Sequence, residues 1–479
     1  MNLHFMQDKP PKEEYHMTKF QKQMLTIAAA GALTAVTALP AMALENEFHG
    51  LFNFYGDYGN VVATGSNTGI PSSFLRANDK ADNYIEQRVR LQYIAKASDD
   101  LKLVTHFEIN NRFGKAAQGP ADLNGGSDLD TDGINLQTKH AYLDVNVAKG
   151  INVKAGLQAY KDSIGGLLVD ADLPAVVATT KLGSVNALVG FSRYSDSATL
   201  LGDQSGNFTF ADFSYPVNKD TKIGFSYYLQ SDETPTAAVT SSTSTANLVT
   251  GIVTTASTTA ADAYLTKKTI HTFALNGSTK IAGVALKGFV AMQNGESTKS
   301  STGVTTDYSG YAANIQADTN IAGGDAKLGY LFVSGDTKGT ATDTKNSQFQ
   351  TLGSTGSTFN EGGMMLMVRN NYFYPTTTAY ALKGNNVSNI QLAYAGYSKM
   401  LSDKLKATAN IGLGWDNTDV GTTAGTKGDF IGTEVNAELA YKLYPNLNVY
   451  AQAGYISLGS QYDTYKDPYA VRLGASFSF

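Results

Sequence analysis

The feature that most constrains the fold is the rhythm of the links between strand-like segments. Segments of about ten residues with alternating apolar and polar side chains recur along the chain. Links of a few residues, such as Gly183-Ser184 and Ser402-Asp403, alternate with long polar links such as 59–82 and 336–387. Gly, Asp and Ser favour tight turns. The pattern therefore predicts an antiparallel sheet with short turns at one edge and long loops at the other.

The segments amount to about eighteen strands, or sixteen if two weak segments are loops. The predicted strands are 46–58, 83–97, 101–113, 135–147, 151–160, 174–182, 185–196, 207–216, 221–231, 268–280, 284–294, 307–318, 325–335, 388–401, 404–416, 430–443, 446–457 and 469–479. An even number of strands with this rhythm is typical of membrane barrels with short periplasmic turns and long external loops. The predicted fold is an all-β, transmembrane antiparallel β-barrel.

The last segment, Tyr469 to Phe479, shows what such a strand looks like. Its odd-numbered residues are apolar or aromatic, whereas the even-numbered ones, including Arg472, are small or polar. Successive side chains of a strand point to opposite faces, so the pattern alone fits a soluble sandwich or a membrane barrel. The loop rhythm favours the barrel. We then expect this strand to close the barrel against the strand that begins near Asn46, with Arg472 on the pore side.

The amino-terminal region has the pattern of an export signal. From Met17, Lys19 and Lys22 precede an apolar run to about Leu39, and Ala41-Met42-Ala43 fits a small-x-small cleavage rule. We expect a signal peptide over 17–43, an over-long start over 1–16, and a barrel over 44–479 that is exported to the bacterial outer membrane.

Composition agrees with a barrel and excludes several classes of site. Charged residues make up only 16% of the chain, with 47 Gly, 27 Tyr and 22 Phe, as alternating faces and aromatic girdles require. The chain contains no cysteine, which excludes disulfides, zinc–thiolate sites and iron–sulfur clusters. The net charge of −5 gives no sign of nucleic-acid binding.

The polar faces of several strands carry charges that point to a channel. Arg88 and Arg90 share a face of one segment, Glu108 and Arg112 a face of the next, and Lys154 lies on a third. A charged side chain on a lipid face costs about 2–4 kcal/mol at mid-membrane. These faces are therefore predicted to point inward, and a barrel this wide leaves an aqueous channel.

With these features, residues 44–479 resemble the porins of the bacterial outer membrane, most closely the major non-specific porins. The resemblance rests on the signal peptide, the strand alternation, the loop rhythm and the terminal Phe479. It implies passive diffusion of ions and small hydrophilic solutes and a homotrimer embedded in outer-membrane lipid and lipopolysaccharide. It also implies that Phe479 acts as a signal for the outer-membrane assembly machinery.

In porins the third external loop narrows the pore, and here the third long link is 161–173. The resemblance implies that Asp162, Asp170 and Asp172 of this link face a basic wall across a constriction. That wall would consist of Arg88, Arg90, Arg112 and Lys154, with Glu108 nearby. Opposed charges across a narrow gap tune ion selectivity. The alternative is that these aspartates are ordinary solvated loop residues.

An acidic motif suggests a possible calcium site. Asp128, Asp130 and Asp132 alternate before Gly133, like the first half of a calcium loop. Lys139 stands where the twelfth-position acid would be, so the motif is not an EF-hand. A looser external Ca²⁺ site and a solvated acidic loop remain as alternatives, and no other cofactor is expected.

Two long links differ in character. The link 232–267 is rich in Thr, Ser and Ala and is predicted to be solvated. The link 336–387 contains the apolar runs 364–368 and 372–374. Three alternatives follow for it: packing on the barrel mouth or a neighbouring subunit, insertion into the lumen as a partial plug, or a pair of extra strands.

Functions from two other classes are weaker. No catalytic motif accompanies the histidines His49, His106, His140 and His271, so an enzyme is not expected. A barrel that acts as a scaffold or sheath for an extracellular electron-transfer cytochrome is physically compatible with the sequence. Solute selectivity cannot be read from the sequence.

Overall fold

The computed structural model describes most of the chain after residue 43. The described residues are 44–60, 81–115, 125, 127–129, 136–196, 205–233, 235–236, 241–246, 253–258, 264–299, 303–336, 344–352, 358–368, 382–383, 387–417, 428–462 and 465–479. Residues Asn46–Phe479 form a compact unit. The predicted start segment (1–16) and signal peptide (17–43) lie outside the described residues and stay predictions.

Within the described ranges, eighteen long strands build an antiparallel barrel. They are β1 (Glu45–Gly59), β2 (Asp82–Ser98), β3 (Leu101–Arg112), β4 (Leu136–Ala148), β5 (Ile151–Lys161), β6 (Asp170–Leu182), β7 (Val185–Asp196), β8 (Ser205–Pro216), β9 (Thr221–Asp232), β10 (Tyr264–Ile281), β11 (Val284–Lys299), β12 (Tyr311–Ile321), β13 (Gly324–Val333), β14 (Ile390–Met400), β15 (Leu405–Trp415), β16 (Phe430–Tyr444), β17 (Leu447–Leu458) and β18 (Tyr469–Ser478).

The barrel closes because its last strand returns to its first. Each strand pairs with the next in sequence, and β18 pairs antiparallel with β1 from Leu51↔Ser478 to Gly59↔Ala470. Closure gives every strand two hydrogen-bonded neighbours, which a lipid environment demands. The predictions of eighteen strands and of a closing carboxy-terminal strand are confirmed. Some strand boundaries differ from the prediction: β6 begins at Asp170 and β10 at Tyr264, four residues early in each case, and β11 ends at Lys299, five residues late.

The two faces of the wall differ as the alternation predicted. Apolar side chains that point outward remain exposed, among them Ile223, Leu275, Ile315, Leu328 and Leu473. Residues of the opposite parity, such as Tyr228, Thr272 and Arg472, are buried inside the barrel. An apolar outside and a polar inside are the arrangement of a membrane barrel. No helix among the described residues is long and apolar enough to cross a membrane.

Short strands also occur in the long loops. Ser241–Ala246 pairs antiparallel with Val253–Thr258 within the link 232–267, which was predicted to be solvated. Thr305–Tyr308 extends the sheet beside β11 and pairs in parallel with Lys345–Asn346. These additions leave the count of eighteen long strands unchanged.

Candidate functional site

The third long loop, 162–169, is built around one buried carboxylate. Both oxygens of Asp162 accept hydrogen bonds from the backbone N–H groups of Ile164, Gly166, Leu168 and Val169, at 2.6 to 2.9 Å. Burial raises the pKa of the Asp162 carboxyl to about 6, although the hydrogen bonds from the four N–H donors lower it. Four donors on one side chain hold the loop in a compact turn.

This turn presents apolar side chains to a second loop segment. Ile164, Leu167 and Val169 are fully buried, in the same cluster as Phe359 and Leu366 of the link between β13 and β14. The two loops also share backbone hydrogen bonds, from Thr358 N to Gly166 O at 2.9 Å and from Leu352 N to Leu168 O at 2.9 Å. We call the segments 162–169, 344–352 and 358–368 the inserted loops.

A buried glutamate of the barrel wall binds the backbone of the second loop segment. Glu434 of β16 accepts hydrogen bonds from the backbone N–H groups of Met365, Leu366 and Met367, at 2.5, 3.2 and 2.7 Å. Its register neighbour Gly412 lies on the inner face of β15. The segment 365–367 therefore lies inside the barrel, held by a carboxylate that has no exposed surface.

Inner-face glycines make room for this segment. A Cβ on Gly412 would lie 2.4 Å from Met364 Sδ, and a Cβ on Gly414 would lie 2.5 Å from Met367 Sδ. Methionine fills such irregular gaps well because its side chain is flexible and polarisable. The run of methionines and these glycines together explain why this part of the loop can pack against the wall.

The loop reaches deep into the barrel at Glu361. Its Oε2 accepts a hydrogen bond from Lys287 Nζ at 2.5 Å, and its backbone oxygen accepts one from Lys327 Nζ at 2.9 Å. Both lysines lie three residues from the short-turn ends of β11 and β13. Of the three alternatives for the link 336–387, insertion into the lumen is the one that its described residues adopt. The run 372–374 lies outside the described residues.

The opposite side of the lumen carries a charged wall, which we define as Asp57, Glu86, Arg88, Arg90, Glu108, Arg112 and Arg472. Arg472 donates two hydrogen bonds of 2.6 Å to Asp57 across the β1–β18 seam. Arg88 and Arg90 both contact Glu108, at 3.2 and 2.5 Å. Ion pairs on neighbouring strands thus line this part of the barrel.

Tyr55 connects the ion pairs of the charged wall to one another. The Tyr55 hydroxyl donates to Glu86 at 2.5 Å, and Arg112 contacts the same carboxylate at 2.8 Å. The Arg472 guanidinium lies 4.0 Å from the centroid of the Tyr55 ring, which favours the cation further. Each carboxylate of the charged wall is therefore paired with at least one arginine, and the members of the wall depend on one another.

The structure corrects the predicted constriction in its details. Asp162 was expected as a pore-facing acid, but its carboxylate is buried and organises its own loop. Asp170 and Asp172 belong to β6 rather than to the loop, because the strand begins four residues earlier than predicted. Asp170 contacts Lys161 at 3.3 Å, and Asp172 contacts Lys139 at 2.7 Å.

The predicted basic residues face inward but pair with acids of neighbouring strands. Arg112 pairs with Glu86, and Lys154 Nζ lies 4.0 Å from Asp144. The Arg88 side chain is only 6% exposed, whereas that of Arg90 is 28% and that of Lys154 is 41% exposed. Arg90 and Lys154 are therefore the more accessible members of the predicted set, and a role for the set in selectivity stays a prediction.

A cavity of about 910 Å³ lies between the loop 162–169 and the short-turn end of the barrel. Polar side chains contribute much of its lining. They include Asn152, Ser163, Lys181, Asp212, Ser214, Lys222 and Asn276. Ser163 joins the loop to this lining, since its Oγ accepts a hydrogen bond from Asn276 Nδ2 at 3.0 Å. A cavity of this size that presents such polar groups can hold water and small solutes.

Sequence reasoning missed two residues that organise the lumen. Asp57 could have been found from register alone, because the closing strand places it opposite Arg472. Glu434 had no such signal, since its partners are backbone groups of a loop some 67 to 69 residues away along the chain.

Two further predictions concern the calcium site and the carboxy-terminal residue. Asp128 is described, but Asp130 and Asp132 lie outside the described residues, so the calcium site stays a prediction. Among the described residues, no group of three or more His, Asp or Glu side chains is arranged to hold a metal ion. Phe479 completes the seam, because its backbone exchanges hydrogen bonds of 2.8 and 3.1 Å with Gly50. Its role as an assembly signal stays a prediction.

An eighteen-stranded barrel narrowed by inward-folded loops is the fold of outer-membrane porins. Among solved structures, the chain is similar to Pseudomonas aeruginosa OpdK in a structure with vanillate, at 13% identity and a TM-score of 0.54 over 91% of this chain and 98% of that one. It is also similar to OccK8 (OprE) of the same species, at 14% identity and a TM-score of 0.52 over the same shares of the two chains.

A third structure, Pseudomonas aeruginosa OccK11 (OpdR), matches at 13% identity and a TM-score of 0.51, over 91% of this chain and 96% of that one. These likenesses establish the fold. No family model matches the chain. No curated protein matches it either.

Proposed function

We propose that the protein is a channel of the bacterial outer membrane through which ions and small hydrophilic solutes diffuse. The observation that carries this proposal is a cavity with many polar residues in its lining, inside a closed barrel whose outer face is apolar. The likeness of the fold to that of OpdK, an outer membrane protein of Pseudomonas aeruginosa, supports it. The inserted loops would narrow the passage rather than block it, as their docking leaves the cavity beneath them open.

The lining of the cavity favours anions. Lys181 and Lys222 are exposed side chains on the inner face, whereas Asp212 is bound by the hydroxyls of Tyr160 and Tyr228. OpdK was solved with vanillate, a small organic anion. We therefore include small organic anions among the solutes.

The inserted loops oppose the alternative role as a sheath. A threaded partner protein would need the lumen that Met364 to Val368 and Ile164 to Val169 occupy. As further parts of this proposal, the protein is a homotrimer and contacts lipid and lipopolysaccharide through its apolar belt.

The experiment uses the full chain, purified and reconstituted into planar bilayers and liposomes. Swelling of the liposomes by small solutes, without turnover of lipid or peptide, separates a channel from a barrel enzyme. Replacing both Lys181 and Lys222 by Gln should shift the reversal potential in a KCl gradient towards cations, because two positive charges leave the passage.

The matched control is Arg193→Gln, which removes one positive charge from the outward face of β7. This variant should leave the reversal potential unchanged. Absence of solute flux through the correctly folded wild type would disprove the channel, whereas flux with an unchanged reversal potential in the double variant would remove these lysines from the passage.

A further inference from the structure

Two histidines face each other across neighbouring strands of the barrel wall. His106 of β3 is the register partner of His140 of β4. Directly paired residues of antiparallel strands point to the same face. His106 shares the inner face with Glu108 and Arg112, so both imidazoles belong to the lumen side of the wall. Both rings are only partly buried, and a small ion in the lumen can therefore reach them.

The ring nitrogens are placed as two ligands of one metal ion would be. His106 Nδ1 and His140 Nδ1 lie 3.2 Å apart. A tetrahedral ion with metal–nitrogen bonds of about 2.0–2.1 Å needs its two nitrogen ligands about 3.3 Å apart. The rings are inclined at 61° with centroids 5.0 Å apart, which leaves their facing edges close together. Little movement would bring both nitrogens onto one ion.

An aspartate from a third strand orients one of the rings. His140 Nε2 lies 2.9 Å from Asp172 Oδ1, and Asp172 Oδ2 accepts a hydrogen bond from Lys139 Nζ at 2.7 Å. A carboxylate only accepts hydrogen bonds, so the Nε2–H of His140 donates to it. Nδ1 of the neutral ring then carries a lone pair towards His106. Metal-bound histidines usually have a carboxylate on their second nitrogen.

A β-bulge creates this arrangement. The register between β3 and β4 shifts after His106, so that Phe107 pairs with Thr138 and Lys139 is the extra residue. A bulge re-aims the side chains beside it. Here it lets the consecutive residues Lys139 and His140 contact the same carboxylate. Two histidines could face each other on a regular ladder without a bulge. The bulge is needed only for the contact that Lys139 and His140 share with Asp172.

The surrounding charges restrict the kind of ion. Arg90 and Lys139 are cationic neighbours, and the nearby carboxylates of Glu108 and Asp172 are engaged by these same cations. A hard cation that is held by carboxylate oxygens, such as Ca²⁺ or Mg²⁺, finds no free oxygen ligand among these four residues. Imidazole nitrogens suit Zn²⁺, Cu²⁺ and Ni²⁺.

We propose that His106 and His140 bind a divalent transition-metal ion on the lumen wall, with Asp172 as a positioning residue and water in the remaining coordination positions. The hydrogen that neutral His106 carries on Nδ1 moves through water to its own Nε2 when the metal enters, so that both rings bind the ion as neutral imidazoles through Nδ1. The bound ion adds positive charge beside Arg90, and it should thereby alter the current through the barrel.

The test uses the full chain without a polyhistidine tag, solubilised in detergent, with ZnCl₂ as the probe in calorimetry. Saturable submillimolar binding of one Zn²⁺ per chain is expected. His106→Gln and His140→Gln should each abolish it, and Asp172→Asn should weaken it about 10–100-fold. The matched control is His271→Gln, because His271 lies on β10 and contacts Tyr227 rather than a second histidine; it should bind Zn²⁺ like the wild type.

A second measurement does not depend on the folding of any variant. The electron paramagnetic resonance spectrum of the wild type with one equivalent of Cu²⁺ should show two nitrogen ligands. The proposal is overturned by a spectrum with fewer than two nitrogen ligands, by the absence of saturable Zn²⁺ binding, or by binding that persists in both histidine variants. None of these readouts requires channel activity, so they are independent of the proposed function.

Discussion

The charged wall and the inserted loops are both buried inside one barrel, yet they are held by opposite means. In the wall, charges of one strand neutralise charges of the next, as Arg472 and Asp57 do across the seam. In the inserted loops, apolar side chains pack against inner-face glycines, and Glu434 fixes the backbone at one place. A buried ion pair makes each partner indispensable to the other, whereas apolar packing spreads the free energy over many contacts.

The largest effect should come from removing the ion pair of the charged wall that joins β1 to β18. Arg472→Ala leaves the Asp57 carboxylate buried without its cation, which should lower the free energy of unfolding by about 3–5 kcal/mol. Urea titration of the detergent-solubilised protein measures this change. In a double-mutant cycle, Asp57→Ala combined with Arg472→Ala should cost less than the sum of the single changes.

The control for the seam is Arg193→Ala, whose side chain is 43% exposed and pairs at 3.8 Å with the exposed side chain of Asp196. Its effect on unfolding should be near zero. An Arg472→Ala variant as stable as this control would show that the wall is held by backbone pairing alone.

The next effect should come from releasing the inserted loops. Glu434→Ala leaves the N–H groups of Met365, Leu366 and Met367 without their acceptor. The docking of the loop should weaken by about 3 kcal/mol or more, since each hydrogen bond to a charged group contributes about 1.5–3 kcal/mol. Hydrogen–deuterium exchange of residues 358–368 should accelerate, and single-channel conductance should rise.

Glu438→Ala is the matched control on the same face of β16. Glu438 accepts a hydrogen bond from Gln452 of the neighbouring strand β17 rather than from the loop. Exchange in 358–368 should stay as in the wild type. If both variants speed exchange equally, the loop depends on the whole strand rather than on Glu434.

The smallest effects should distinguish Arg90 from Arg88, which are neighbours within the charged wall. Arg90→Gln should change the free energy of unfolding by no more than about 1 kcal/mol, because its ion pair is partly exposed, and it should shift the reversal potential towards cations. Arg88→Gln should destabilise more and shift the potential less, because Arg88 is buried. A larger shift for Arg88 than for Arg90 would contradict the accessibility argument.

The sequence by itself determined the barrel. Alternation along segments such as Tyr469 to Phe479, together with the short and long links, predicted a closed barrel of about eighteen strands, because lipid and water impose opposite demands on successive side chains; sixteen strands remained the alternative. The inward direction of Arg88, Arg90 and Arg112 followed from the same rule. The register of β18 against β1 would also have revealed Asp57.

Only the tertiary structure decided what fills the lumen. The partners of Asp162 and Glu434 are backbone N–H groups, which every residue possesses and no sequence pattern marks. The insertion of Met364 to Val368 depends on space above Gly412 and Gly414, which exists only when β15 faces the loop. The pairing of His106 with His140 required the register of two strands and a bulge at Lys139. Long-range contacts of this kind are fixed by packing, and local sequence does not encode them.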